Sequence, residues 1–185
     1  MFSDLKGFTR PSEEMDPQKL VAFLNVYMSA MTEIIIEHGG SIDKFMGDGI
    51  MAVFNTAGVH VEQALLAGIK MQQQLESLRY EWRTNRPELA SLQMRIGINT
   101  GDVVAGNIGS ETRMDYTLVG DNVNVAARLE SACIPGELLL SEASYGLVKH
   151  RALAKPMEPI LVRNREKPVA TYAVQVEREP PQGKE

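Results

Sequence analysis

The chain has 185 residues, of which 44% are hydrophobic and 23% charged, a composition typical of a globular domain with one full core. The formal net charge of −5 argues against non-specific binding of nucleic acid, which requires a basic surface. A single cysteine, Cys133, excludes an internal disulfide and fits a reducing, cytoplasmic compartment. No apolar run reaches the roughly 18 residues of a membrane span, and early charges argue against a signal peptide.

The first long helix is predicted from Pro17 to His38. Asp16 is a suitable N-cap residue, and proline is favoured at the first helical position. Apolar residues then recur at helical spacing. Gly39 and Gly40 end the helix because glycine adopts positive φ at low cost.

Short strands and helices alternate after this helix. A hairpin is predicted from strands 42–46 and 50–54, with Asp48 exposed at its tip. The next predicted elements are a helix at 61–83, two strands forming a hairpin at 92–99 and 103–108, and a strand at 114–118. The last are a helix at 122–132, a strand at 138–140, a helix at 142–148, and a closing hairpin at 159–162 and 169–176.

This order of elements indicates an α+β domain over residues 1–176. Residues 177–185 are polar and proline-rich, so we expect a flexible tail there.

Two carboxylates lie in short glycine-bearing segments, Asp4 in FSDLKGFT and Asp48 in DKFMGDG. Oxygen donors on two tight turns suit a pair of Mg²⁺ ions. Far downstream, Asn124 and Arg128 stand about one helical turn apart, a carboxamide and a guanidinium suited to a sugar and a phosphate. Each feature alone also fits an ordinary turn residue or surface ion pair. Together they indicate chemistry on a nucleoside triphosphate.

These segments, with MRIGINTG at 94–101 and VGDNVNVAARLE at 119–130, resemble the catalytic domain of class III nucleotidyl cyclases, the adenylyl and guanylyl cyclases. The resemblance covers residues 2–172 and implies a ferredoxin-like, palm-like βαββαβ core with additional C-terminal strands and helices. It also implies cyclisation of a nucleoside triphosphate with two Mg²⁺ or Mn²⁺ ions per site. Family members have more apolar residues before the first motif. We therefore expect a truncated first strand and an upstream regulatory or membrane domain missing from this chain.

The resemblance assigns roles to individual residues. Asp4 and Asp48 would hold the metal ions, with the Leu5 backbone carbonyl as a further ligand. Asn124 would orient the ribose, and Arg128 would stabilise the five-coordinate phosphorus. The implied substrate-binding residues are Gly7, Phe8 and Thr9 along the triphosphate, Lys44 and Thr117 at the purine, and Arg165 at the β- and γ-phosphates, with Arg163 and Lys167 as alternatives to Arg165.

The pair Lys44 and Thr117 favours adenine over guanine. A lysine only donates hydrogen bonds, which suits the N1 acceptor of adenine, and a threonine hydroxyl can accept one from the 6-amino group. Guanine presents the opposite polarity at both atoms. ATP is therefore the expected substrate, with 3′,5′-cyclic AMP and pyrophosphate as products. Guanylyl cyclase and a catalytically silent nucleotide-binding or dimerisation module remain the alternatives.

The resemblance further implies a head-to-tail homodimer with two equivalent shared sites. In the family, Asp4 and Asp48 belong to one subunit. The partner subunit supplies the remaining functional side chains, namely Lys44, Thr117, Asn124 and Arg128.

Overall fold

The computed structural model describes residues 1–163, 165 and 167–176, so the predicted tail at 177–185 lies outside the described residues. The helices are α1 (Thr9–Glu14), α2 (Pro17–Glu37), α3 (His60–Asn85), α4 (Asp121–Ala132) and α5 (Glu142–Val148). The strands are β1 (Phe2–Lys6), β2 (Gly40–Met46), β3 (Gly49–Phe54), β4 (Gln93–Ile98), β5 (Val104–Ser110), β6 (Arg113–Val119), β7 (Glu137–Ser141), β8 (Ala154–Ile160) and β9 (Val169–Gln175).

Seven strands form one sheet in the order β2-β3-β1-β4-β7-β9-β8. Neighbouring strands run antiparallel except β4 and β7, which are parallel. Within this sheet, β1-α2-β2-β3-α3-β4 forms the split βαβ arrangement of a ferredoxin-like fold. The predicted α+β, palm-like class is therefore confirmed.

The strand pairing around β5 differs from the prediction. The segments at 92–99 and 103–108 do not form a hairpin, because β4 pairs with β1 and β7. Among the strands of the described residues, β5 pairs only with β6. The connecting segment packs against α4 instead. The Asn99 side chain donates to the Asn122 carbonyl at 3.0 Å, and a Cβ on Gly101 would lie 2.7 Å from Asn122 Oδ1. The chain thereby leaves the sheet before β5.

Strand β8 also differs from the prediction, since it spans Ala154–Ile160 rather than 159–162. Pro156 and Pro159 interrupt the pattern of a strand in the sequence. Proline is tolerated on an edge strand, where its missing N–H faces solvent, and β8 is an edge of the sheet.

The helix predicted at 17–38 is confirmed as α2. The Asp16 carboxylate accepts from the backbone N–H groups of Gln18 and Lys19 at its first turn. By length and mean hydropathy (1.5), α2 is the one helix of the described residues that could span a membrane, contrary to the prediction of no such segment. Core helices also meet this criterion, and α2 packs several large side chains inside this domain, including Phe23, Tyr27, Met31 and Ile35.

Helix α4 covers the face of the sheet opposite to α2 and α3. Alternate residues of a strand point to opposite faces. Leu138 and Leu140 pack with side chains of α2 and α3, whereas Leu139 packs with Val125 and Leu129 of α4. The core therefore has two sides, and α4 forms the layer that carries the predicted catalytic residues.

The contact between α4 and β4 leaves no space for a side chain at Gly97. A Cβ there would lie 2.5 Å from the Ala126 carbonyl oxygen and closer still to the Glu130 nitrogen. We expect Gly97→Ala to lower the free energy of unfolding by about 1–3 kcal/mol, because two backbone segments must separate. Chemical denaturation would measure the loss.

Gly146→Ala is the matched control, because no atom lies within 4 Å of a Cβ there. Gly146 is exposed within α5, so alanine should stabilise the protein by about 0.5–1 kcal/mol through its helix preference. An equally well-tolerated Gly97→Ala would contradict the close packing of α4.

Candidate active site

Two carboxylates meet where β1 ends beside the turn between β2 and β3. Asp48 lies in the two-residue turn, whose first residue, Gly47, has a φ of +66°. The Leu5 backbone N–H donates to Asp48 Oδ2 at 3.2 Å. This bond draws the turn against β1, so Asp48 is half-buried rather than exposed at a hairpin tip as predicted. Asp4, on β1, is half-buried beside it.

Burial raises the pKa of Asp48, and the negative charge of Asp4 raises it further. The Leu5 N–H acts in the opposite direction because it stabilises the ionised carboxylate. Two carboxylates held this closely favour a compensating positive charge.

Arg95 supplies part of that charge. It faces Asp4 across the β1–β4 pair, and its guanidinium donates to Asp4 Oδ2 at 2.7 Å. The same nitrogen lies 2.9 Å from Glu130 Oε1 of α4, as an ion pair without aligned hydrogen-bond geometry. The Arg95 and Glu130 side chains are only 19% and 12% exposed. Burial raises the pKa of Glu130 while Arg95 lowers it.

Helix α4 exposes Asn124 and Arg128 to solvent on the same side. Glu130 is turned instead toward the sheet, where it pairs with Arg95 rather than with Arg128. Among the residues that the structure describes, no ion pair involves Arg128. Its side chain is exposed on the outer side of α4.

The two predicted purine-reading residues share one carboxylate oxygen. The Thr117 hydroxyl of β6 donates to Asp43 Oδ2 at 2.8 Å, and the Lys44 ammonium lies 3.5 Å from the same oxygen. Thr117 is buried, and the Lys44 side chain is 39% exposed. The structure therefore brings Lys44 and Thr117 together through a residue that the sequence did not single out.

The predicted triphosphate-binding segment forms the connection from β1 to α1. Gly7 adopts a φ of +92° there, a conformation that glycine favours. Phe8 is buried and stacks on Phe23 with ring centroids 5.6 Å apart. Its side chain is therefore part of the core, and only its backbone could contact a substrate. Thr9 is exposed as the first residue of α1, and the Leu5 side chain is buried.

Arg165 lies beside the start of α4. Its guanidinium donates to the Asp121 carboxylate and, at 3.4 Å, to Asn122 Oδ1. Arg163 and Lys167 are exposed, and Lys167 lines the same open cleft as Arg165, Asn99 and Thr100. These contacts hold Arg165 at the first turn of α4, whereas the choice among the three basic residues stays a prediction.

Within one chain, the predicted site residues form separate groups. Asp4, Leu5 and Asp48 lie together, as do Lys44 and Thr117. Among the described residues, no hydrogen bond or ion pair connects the acidic pair with Asn124 or Arg128, which project from the outer side of α4.

Comparisons with known proteins identify the family of this chain. The family model described as the adenylate and guanylate cyclase catalytic domain matches residues 1–176. This chain belongs to that family. An adenylate cyclase of Anabaena cylindrica is 42% identical over 132 residues, covering 70% of this chain and 26% of that protein. The chain thus spans about a quarter of the length of this curated relative.

Solved cyclase structures share the fold of this cyclase domain. The adenylyl cyclase CyaB from P. aeruginosa has a TM-score of 0.86 and 39% identity, with 98% of this chain and 94% of that chain covered. The guanylyl cyclase Cya2 has a TM-score of 0.84 and 36% identity, with 95% and 90% covered. Both substrate classes therefore occur among similar proteins.

The residues of this cyclase domain fit the divalent metal ions that its family uses. No cluster of three or more His, Cys, Asp or Glu side chains suited to a metal occurs in the described part of the chain. Mg²⁺ is commonly held by one or two carboxylates together with substrate phosphates, so a larger protein cluster is not required. Burial and then the charge of Asp4 raise the pKa of Asp48, and a bound cation would relieve the repulsion between the two carboxylates.

Arg95 is expected to stabilise the folded cyclase domain. We predict that Arg95→Met lowers the free energy of unfolding by about 1–3 kcal/mol, because Asp4 and Glu130 lose their shared counterion. Denaturation in metal-free buffer at fixed protein concentration would measure it.

Arg10→Met is the matched control, because Arg10 forms an exposed pair with Glu14, 84% and 62% exposed. Such exposed pairs contribute little to stability because solvent screens them. Equal, small losses for the two variants would contradict the role of Arg95.

Asp48→Asn should stabilise the metal-free protein at neutral pH. Burial and Asp4 raise the pKa of Asp48 in the folded state above its value in the unfolded chain. Protonation of Asp48 therefore stabilises the fold, and this stabilisation is lost as the pH rises through the folded-state pKa. An amide oxygen can still accept from Leu5. The thermal midpoint of Asp48→Asn should therefore exceed that of the wild type at pH 7, with the advantage shrinking toward about pH 4. A difference independent of pH would rule out this electrostatic cause.

Proposed function

We propose that this chain is an adenylyl cyclase, converting ATP to 3′,5′-cyclic AMP and pyrophosphate in a homodimer. The observation that carries the proposal is the pair of half-buried carboxylates, Asp4 and Asp48, beside the backbone of Leu5. A pair with this mutual repulsion is suited to gather cations around a triphosphate.

Asp4, Asp48 and the Leu5 carbonyl are the residues that would hold two Mg²⁺ or Mn²⁺ ions. Bound ions would supply charge neutralisation on the phosphates and make the ribose 3′-hydroxyl a better nucleophile. Arg95 donates a hydrogen bond to one oxygen of Asp4 in the present arrangement, which fixes the orientation of that carboxylate.

The segment after Leu5 is suited to the phosphates. Gly7 lets the backbone turn closely, and the start of α1 follows directly, with no side-chain cap on its first backbone N–H groups. Thr9 adds an exposed hydroxyl. Phe8 anchors this segment through its stack on Phe23, so the backbone donors are held in place before substrate arrives.

Arg128 would stabilise the transition state from the opposite side. A guanidinium is always charged and presents a planar set of donors, which suits the equatorial oxygens of a five-coordinate phosphorus. Asn124, on the same side of α4, would orient the ribose. Arg165 would contact the β- and γ-phosphates from the start of the same helix.

The choice of ATP rests on Lys44 and Thr117. A guanylyl cyclase is among the similar structures, so similarity alone leaves GTP as a second candidate. Guanine would place its N1 donor against the Lys44 ammonium, a pairing of two donors. An unpaired polar group in a closed pocket costs enough to discriminate strongly between substrates.

The separation of the two groups in one chain supports a site shared between protomers. Asp4 lies on the sheet side of α4, whereas Arg128 points away from it. The β5–β6 ribbon also exposes large apolar side chains on both faces, Val104 and Ile108 on one and Met114 and Tyr116 on the other. An isolated ribbon with such surfaces favours a covering partner.

The activity is tested by incubating the purified chain with ATP or GTP and Mg²⁺ or Mn²⁺, followed by chromatography of the products. Accumulation of 3′,5′-cyclic AMP from ATP is expected. Cyclic GMP as the main product would favour the guanylyl cyclase alternative, and binding without turnover would favour the silent module.

The shared site is tested by mixing Asp48→Ala chains with Arg128→Ala chains. Each variant alone should lose at least about 100-fold in activity, because charge stabilisation in the transition state is lost. A mixed dimer contains one complete site. Random exchange makes half of the dimers mixed, so roughly a quarter of wild-type activity should return. No recovery, with mixed dimers verified by differently tagged chains, would refute a shared site.

A further inference from the structure

Asp43 is buried between the two residues proposed to read the purine. Its side chain is 7% exposed, and its Oδ2 receives the Thr117 hydroxyl at 2.8 Å. The Lys44 ammonium lies 3.5 Å from the same oxygen. Both contacts lie within one chain, the first between β6 and β2 and the second within β2, so they exist before any partner or substrate arrives.

A β-bulge gives Asp43 this position. In the β2–β3 pair, Ile42 faces Ala52 and Lys44 faces Met51, so Asp43 is an additional residue without a partner in β3. Successive residues of a regular strand point to opposite faces of the sheet. The bulge redirects Asp43, and its side chain and that of Lys44 thereby reach the same point.

The contact determines which hydrogen bonds Thr117 can offer. A threonine hydroxyl has one proton to donate and also accepts, so by itself it fits either adenine or guanine at position 6. An ionised carboxylate only accepts. While Asp43 holds the hydroxyl proton, Thr117 presents lone pairs to any further neighbour. Those lone pairs suit the 6-amino group of adenine and repel the 6-oxo group of guanine.

We propose that Asp43 is a positioning residue for purine selectivity, acting through Thr117 to make the base pocket specific for a 6-amino purine. This inference rests on the proposed ATP cyclase function. Asp43 also holds the Lys44 ammonium near Thr117, so that the two groups face the same edge of the base. Selectivity thus depends on three residues, of which Asp43 does not contact the base.

The test compares Asp43→Asn with the wild type in the dimer of this chain, using ATP and inosine triphosphate. The inosine nucleotide carries a 6-oxo group but lacks the 2-amino group of guanine. It therefore differs from ATP only at N1 and position 6, the atoms that Lys44 and Thr117 are proposed to read. An asparagine amide can donate to Thr117 and release its hydroxyl proton toward a 6-oxo group. The ratio of kcat/KM for ATP to that for inosine triphosphate should fall about tenfold. Asp115→Asn, an equal charge change at an exposed position of β6, should leave the ratio unchanged.

A double-mutant cycle shows whether Asp43 acts through Thr117. In a Thr117→Val background, Asp43→Asn should leave the ratio unchanged, because no hydroxyl remains to be oriented. A fall of the same size in both backgrounds would overturn the proposal. An unchanged ratio in the single variant would also overturn it while leaving ATP cyclase activity established. If Asp43→Asn fails to fold by thermal denaturation, Asp43→Ser provides the same comparison.

Binding supplies a readout that is independent of turnover. The 2′,3′-dideoxy forms of ATP and inosine triphosphate lack the attacking hydroxyl, so their affinities can be measured by calorimetry without reaction. Asp43→Asn should reduce the preference for the adenine form. A wild-type chain that binds dideoxy-ATP with that preference but forms no cyclic AMP would refute the cyclase and retain the role of Asp43. No binding of either nucleotide would refute both.

Discussion

The electrostatic repulsion between Asp4 and Asp48 is the constraint around which the candidate site is organised. The fold brings the carboxylates together by seating the β2–β3 turn against β1, with the Leu5 N–H bonded to Asp48. Gly49 permits this approach, since a Cβ there would lie 3.2 Å from the Ser3 carbonyl oxygen. A structure that only had to be stable would separate two such charges. Burial, and then the charge of Asp4, raise the pKa of Asp48, and a carboxylate perturbed in this way is typical of a functional site.

Arg95 partly neutralises the two carboxylates and also connects Asp4 to helix α4. Its guanidinium bridges Asp4 on β1 and Glu130 on α4 from a largely buried position on β4. A lysine would provide one point of charge, whereas the planar guanidinium can face two carboxylates together. The bridge therefore orients Asp4 and holds α4 on the sheet, with Gly97 allowing the close backbone contact.

The sequence predicted most of the fold because local signals coincided with tertiary structure. Asp16 and Pro17 set the start of α2, and the glycines around Asp48 set its turn. Two kinds of feature were missed. The hairpin at 92–108 and the start of β8 depend on which strands pair, which local patterns do not encode. The roles of Arg95 and Asp43 depend on contacts between distant residues. Arg95 stood inside a recognised motif, but its neighbours become visible only once β1 and β4 are paired.

Helix α4 gives the domain its functional asymmetry. The sheet side of α4 carries Glu130, which contributes through Arg95 to the environment of Asp4. The outer side carries Asn124 and Arg128, which under the proposed shared site would act on substrate held by the partner's carboxylates. One rigid helix then belongs to two active sites, and a shift of α4 that altered one would also move groups of the other. Close packing at Gly97 opposes such a shift. The close contact at Gly97 that stabilises the fold would thereby also preserve the relative positions of the functional groups in both sites of a dimer.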